Sequence, residues 1–115
     1  MATISGKEEG KCLAIRADMD ALPIKEETGL SFKSTHKGCM HACGHDAHTA
    51  IALTAAKIIN ENKNKLRASV KFIFQPGEEV PGGADLMIKE SCLENPHVDA
   101  IIGMHCGKLA DIPQG

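Results

Sequence analysis

Apolar positions along this chain shift rhythm from segment to segment, and each shift marks an element. Cys12 to Ala17, CLAIRA, is mostly apolar and runs into Asp18 and Asp20. Ala68 to Phe74, ASVKFIF, alternates through Val70, Phe72 and Phe74, then meets Pro76-Gly77-Glu78-Glu79. Asp99 to His105, DAIIGMH, is a short apolar run that ends on a histidine. All three predict buried strands. Between them the period lengthens to that of a helix. From Asp46, a predicted N-cap, AHTAIALTAAKIINENK places Ile51, Ala55, Ile58 and Ile59 on one face. From Gly83, ADLMIKESCLEN places Ala84, Met87, Ile88 and Cys92 together, and Asn95-Pro96 stops it. The first eleven residues carry no such rhythm and are expected to be loose.

Strand, helix, strand, helix, strand predicts an α/β fold with parallel strands and right-handed crossovers. Ligands in such sheets collect beyond the carboxyl ends of the strands. Each predicted strand ends there on polar groups: Asp18 and Asp20, then Glu78 and Glu79, then His105. The loop entering the first helix, HACGHD from His41 to Asp46, lies on that same edge. Groups distant along the chain therefore converge on one rim.

Composition narrows the chemistry. The 115 residues suffice for one modest domain, and 43% hydrophobic with 24% charged residues is an ordinary globular balance. A net charge of −2 offers no basic surface for nucleic acid or anionic lipid. Three Phe, with no Trp or Tyr, leave little for stacking on bases or sugars. No apolar run approaches the ~20 residues that cross a bilayer, and the start lacks a signal-like region, so a cytoplasmic location is expected. Five cysteines, an odd count, predict thiols in a reducing compartment.

Cys43 and His45, one residue apart, can reach one ion from a bent loop, and Glu79 and His105 can complete its shell from neighbouring strand ends. Thiolate, imidazole and carboxylate together suit zinc or another first-row divalent metal. Adjacent glutamates repel unless a cation offsets the cost, and with one present they can divide the work, one binding and the other moving protons. Each residue also has a plain reading. Cys43 can be a small core residue, His45 can satisfy a turn, and Glu78-Glu79 can be a solvated pair. His105 can bond a carbonyl, and Asp18 and Asp20 can end a strand. Their joint placement favours the metal. His41 and His48 lie near enough to be candidates, with His48 expected to face solvent; His36 and His97 read as surface residues. Cys12, Cys39, Cys92 and Cys106 read as structural, with Cys39 and Cys106 close to the ligands.

RADMDALPI (Arg16 to Ile24), GCMHACGHDAHTA (Gly38 to Ala50), FQPGEEVPGGA (Phe74 to Ala84) and GMHC (Gly103 to Cys106) follow one another as in the M20 metallopeptidase family. The chain most resembles the amidohydrolase branch of that family. This branch includes hippurate hydrolases, N-acyl-amino-acid deacylases, N-acetyldiaminopimelate deacetylases and indole-acetyl-amino-acid hydrolases. The likeness covers essentially everything after Lys11. It implies a three-layer α/β sandwich with a mostly parallel sheet, similar to zinc aminopeptidases. It also implies a site for two divalent metals (zinc, manganese, cobalt or nickel) that cleaves the amide bond of N-acyl amino acids or small peptides. Carried over by motif, Cys43 would bind or bridge the metals, with His45, Glu79 and His105 as further ligands. Glu78 would be the general base for the attacking water and would pass its proton to the leaving amine. Asp18 would orient a ligand imidazole. Arg16 stands where related peptidases carry a metal-binding histidine, so the cysteine motif must supply that coordination.

Family enzymes are several times longer, with a lid or dimerisation domain and a late histidine ligand. Residues 12–115 are thus expected to be part of a catalytic, metal-binding domain, with the lid absent. Exposed edges would then favour self-association. Two other functions compete. One is a metal-binding or interaction fragment without catalysis. The other is a thiol hydrolase with Cys43 as nucleophile and His45 or His105 as base. A zinc deaminase lacks its Pro-Cys-x-x-Cys element here, and the Cys39–His45 spacing fails the haem-attachment pattern.

Overall fold

A computed structural model describes residues 1–8 and 10–107. Its elements run β1 (Ala2–Ile4), β2 (Cys12–Asp18), α1 (His45–Glu61), a 3₁₀ turn (Lys63–Lys65), β3 (Ser69–Gln75), α2 (Gly83–Lys89) and β4 (Ala100–Gly103). They build one four-stranded sheet in the order β1-β3-β2-β4. β2 pairs in parallel with both β3 and β4. β1 is antiparallel on the outer edge of β3.

Successive side chains of a strand face opposite ways, and the two helices use the two faces. Ile15, Ala17, Val70 and Phe72 pack on Ala52 of α1, with Ala55, Ala56 and Ile59 partly buried around them. On the other face Ala14 and Ile73 pack on Cys92, beside the half-buried Met87, Leu93 and Val98. The result is the expected three-layer α/β arrangement around a mostly parallel sheet. After β3 the chain crosses back over β2 to reach β4. The strand order therefore reverses at β2, whose carboxyl end is where a ligand crevice opens in such sheets.

Five expectations need correction. Residues 1–11 are not uniformly loose, because Ala2–Ile4 is a strand in register with Phe72, Lys71 and Val70. Three residues are too few to show a period in sequence, and pairing with β3 is what stabilises them. The buried face of α1 is His45, His48 and Ala52, continued by the half-buried Ala55, Ala56 and Ile59. Ile51 and Ile58 are exposed. The helix also starts from Gly44 rather than Asp46, which lies in its first turn. α2 stops at Lys89, short of Asn95, because Ser91 turns left-handed at φ 63° and the Cys92 N–H returns to the Met87 carbonyl at 3.0 Å. Finally, β4 is exposed along its length and, among the described residues, is an edge strand paired with β2.

Lys71 is an unexpected member of the β3 face. It is 3% exposed, and its ammonium donates to the carbonyls of Glu94 (2.6 Å), Pro96 (3.0 Å) and Cys92 (3.4 Å). Three converging carbonyls neutralise a buried charge without any carboxylate, and they tie the loop after α2 to the sheet.

Candidate metal centre

The centre assembles at the carboxyl rim of β2, β3 and β4. β2 ends on Asp18, and the chain then leaves on a long excursion that is pinched shut by Leu22 and Met40. Their backbones exchange hydrogen bonds of 2.9 and 3.0 Å. That pinch returns the HACGHD segment to the end of β2. Gly44 then turns left-handed (φ 82°) immediately before α1, so Cys43 and His45 diverge from one glycine towards the same side. Glu78 and Glu79 arrive on the turn after β3. Gly83 permits this, since a Cβ there would lie 2.3 Å from the Pro76 carbonyl oxygen and 2.4 Å from that of Gly77. His105 follows two residues after β4.

His45 is the hub. Its side chain is 1% exposed, and its Nδ1 lies 3.0 Å from the backbone oxygen of Asp20 and 3.3 Å from that residue's Oδ1. A carbonyl only accepts, so Nδ1 carries the proton and Nε2 presents a bare lone pair in the neutral ring. Nε2 is buried and has no hydrogen-bond partner. It faces Glu79 Oε1 at 3.7 Å, with Glu78 Oε2 and Asp18 Oδ1 each at 3.8 Å. Nearby, Cys43 Sγ and His105 Nε2 are 3.5 Å apart. Donor atoms of Cys43, His45 and His105 lie mutually within 4.8 Å, as do those of His45, Glu78 and Glu79. A lone pair, two carboxylates and a thiol aimed at one space repel each other until a cation enters. The donor set fits a divalent metal of the zinc type.

Electrostatics support the same view. A hydrogen bond with Glu79, then burial, then the charges of Glu79, Glu78 and Asp18 push the Cys43 thiol above its ordinary value. That is the reverse of what a thiolate nucleophile needs. Burial by itself pushes the Asp18 carboxyl up, but the His48 hydrogen bond and the Arg16 charge outweigh it and hold the carboxyl below its usual range. Arg16 donates to Asp18 Oδ2 at 2.6 Å and to Gln75 Oε1 at 2.9 Å. The same competition holds Asp20 low: burial raises it, while the backbone N–H groups of Glu78 and Glu79 lower it, that of Glu79 donating to Oδ2 at 3.2 Å.

The rim thus brings together Asp18, Cys43, His45, Glu78, Glu79 and His105. Two assignments shift. Asp18 was expected to orient a ligand imidazole, yet the ring it holds is that of His48, at 2.5 Å from Nδ1. Asp20 orients His45 instead. His48 does not face solvent: it is 0% exposed. A clue was its spacing of three from His45, which puts both on one helix face. His41, His36 and His97 are exposed, His97 against Glu94. Cys12 and Cys92 are core residues, whereas Cys39 and Cys106 are exposed.

Fold and site together define an α/β domain with a cluster of histidine, cysteine and carboxylate groups on its sheet rim that could hold a metal ion. The chain belongs to peptidase family M20/M25/M40, whose model matches residues 14–112. It is 50% identical over 104 residues to N-acetyl-L-cysteine deacetylase of Bacillus subtilis, spanning 90% of this chain and 24% of that protein. It is 47% identical over 106 residues to N-acyl-L-amino acid amidohydrolase of Geobacillus stearothermophilus, spanning 91% of this chain and 28% of that protein. The crystal structure of a dinuclear metal-binding peptidase of the M20 family from Bacillus subtilis superposes with a TM-score of 0.86 at 47% identity. That match covers 97% of this chain and 30% of that one. The chain thus spans between about a quarter and a third of the length of these relatives.

Proposed function

We propose that this chain carries the metal-binding part of an amidohydrolase that cleaves the amide bond of N-acyl amino acids or small peptides. The observation that carries the reading is the buried, unpartnered Nε2 of His45, facing two glutamates beside the Cys43–His105 pair. Cys43, His45, Glu79 and His105 would hold the metal, two ions in a complete site, with zinc, manganese, cobalt and nickel all compatible with these donors. A bound divalent ion supplies Lewis acidity to the scissile carbonyl and to water.

The remaining work falls to side chains. Glu78, the more exposed of the glutamates at 38%, is free to take a proton from the attacking water on Oε2 and return it to the leaving amine. Asp18, ionised beside Arg16, holds the deeper part of the site in register. The partner is a small-molecule substrate, with neither nucleic acid nor membrane as a binding surface, and exposed β4 favours self-association. No helix among the described residues is long and apolar enough to cross a membrane. Five free thiols support a reducing, cytoplasmic setting.

The competing reading is a metal-binding unit without catalysis of its own. Elemental analysis of the purified chain after exposure to zinc, cobalt or manganese separates the two. Two ions per chain, with release of amino acid from N-acyl amino acids by the product of the complete reading frame, supports the hydrolase. One ion, without turnover by that product, supports the second reading. Turnover that survives a strong chelator contradicts both.

A further inference from the structure

We propose that His48 is a positioning residue and not a metal ligand: it clamps the backbone at Cys106 to Asp18 and thereby fixes where His105 stands. The inference rests on the metal centre proposed above, because its purpose is to place one of that centre's ligands.

Three elements meet at this imidazole. Asp18 ends β2, His48 lies in the first turn of α1, and Cys106 follows β4 by three residues. The Cys106 N–H donates to His48 Nε2 at 2.6 Å. Nε2 is therefore an acceptor, and the proton of the neutral ring sits on Nδ1, where it is donated to Asp18 Oδ1 at 2.5 Å. Both ring nitrogens are used, so neither has a lone pair left for a metal. His45 differs in this respect, having Nε2 free. The clamp is rigid by burial, with the His48 side chain at 0% and that of Asp18 at 1% exposed. Its charge is balanced by Arg16, which donates to the second oxygen of Asp18.

This contact joins parts that little else joins. β4 is an exposed edge strand of four residues, and His105 lies beyond it, where the ladder gives no further support. The bond to Cys106 acts one residue after His105, and the rings of His48 and His105 stand 4.8 Å apart at 59°. A ligand on an edge-strand extension needs such an anchor, since a displacement of an ångström removes it from the metal's reach.

Two measurements on the 115-residue chain test the idea. Nitrogen-15 spectra of the imidazoles should show His48 as the Nδ1–H tautomer with a bare Nε2, the same with and without zinc, while the His45 Nε2 signal moves on zinc addition. A zinc-induced shift of His48 Nε2 like that of a ligand overturns the proposal. Cobalt titrations then compare His48→Phe, a ring without an acceptor, with His48→Gln, which keeps one for the Cys106 N–H. His48→Phe should lose about tenfold to a hundredfold in cobalt affinity, and His48→Gln should recover a good part of it. Wild-type affinity in His48→Phe, or equal losses in both variants, overturns the clamp and leaves the metal centre standing. A wild-type chain that binds neither cobalt nor zinc overturns both. If His48→Phe fails to fold, the tautomer measurement still decides the matter.

Discussion

Glu78 and Glu79 are neighbours with different surroundings, and that difference separates their roles. Both carboxylates lie 3.7 to 3.8 Å from His45 Nε2, but their side chains differ in exposure, 38% for Glu78 against 29% for Glu79. On the reading proposed above Glu79 is the ligand and Glu78, the more open of the two, is the base. Replacing Glu78 with Gln retains shape and hydrogen bonding but removes the proton acceptor. Turnover by the complete enzyme should fall by a factor on the order of 10² to 10⁴ or more, with cobalt affinity within a few-fold of wild type. Undiminished turnover in Glu78→Gln assigns the base elsewhere. At this scale, sequence order alone distinguishes neither glutamate. The family motif supplies an expectation, and the greater exposure of Glu78 agrees with it.

Among the elements, the loop after α2 shows how a polar residue can hold a core together. The alternation of β3 makes Lys71 look solvent-facing, yet it is buried where three carbonyls converge. Replacing it with Met preserves length and removes the ammonium, leaving those carbonyls without a donor. The variant should lose about 2 to 4 kcal/mol in urea unfolding, since hydrogen bonds to a charged group contribute about 1.5 to 3 kcal/mol each and water can reach only part of the site. A loss under about 0.5 kcal/mol means that the loop relaxes and finds water. The helices teach a related lesson. Hydrophobicity ranks Ile51 and Ile58 above His45 and His48, but the crevice takes the histidines because Asp20 and Asp18 each satisfy the Nδ1 of one ring. Once those two are turned inward, a period of 3.6 residues carries Ile51 and Ile58 outward.

For the molecule as a whole, the β2–β4 edge is a short seam, a parallel ladder of four register pairs. Asp99 reinforces its start. Its N–H donates to the Cys12 carbonyl at 2.9 Å, its Oδ2 accepts the Cys12 N–H at 2.8 Å, and its Oδ1 pairs with Lys11 Nζ at 2.7 Å. The Lys11 hydrogen bond, then that of the Cys12 N–H, lowers the Asp99 carboxyl below 3.8 against a smaller effect of burial. A lowered carboxyl stabilises the fold at every pH above its unfolded value, and the contribution disappears as pH falls through its lower folded value. Below about pH 4, therefore, wild type should lose urea resistance more steeply than Asp99→Asn, and the two curves should converge in strong acid. Parallel curves across the acid range count against this role for the carboxylate.

Sequence by itself determined the strand and helix order, the three parallel strands and the polar rim at their carboxyl ends. Those features follow from local periodicity, which each segment carries within itself. Tertiary structure alone decided that Ala2–Ile4 forms a strand, that β4 lies open at an edge, and that His45 and His48 turn inward to different partners. Each depends on what a distant segment presents: a free edge on β3, no further strand beside β4 among the described residues, and Asp20 beside one ring but Asp18 beside the other. A hydrogen bond between residues twenty-five or more positions apart leaves no mark on local pattern, so one imidazole is left with a free lone pair and its neighbour with none.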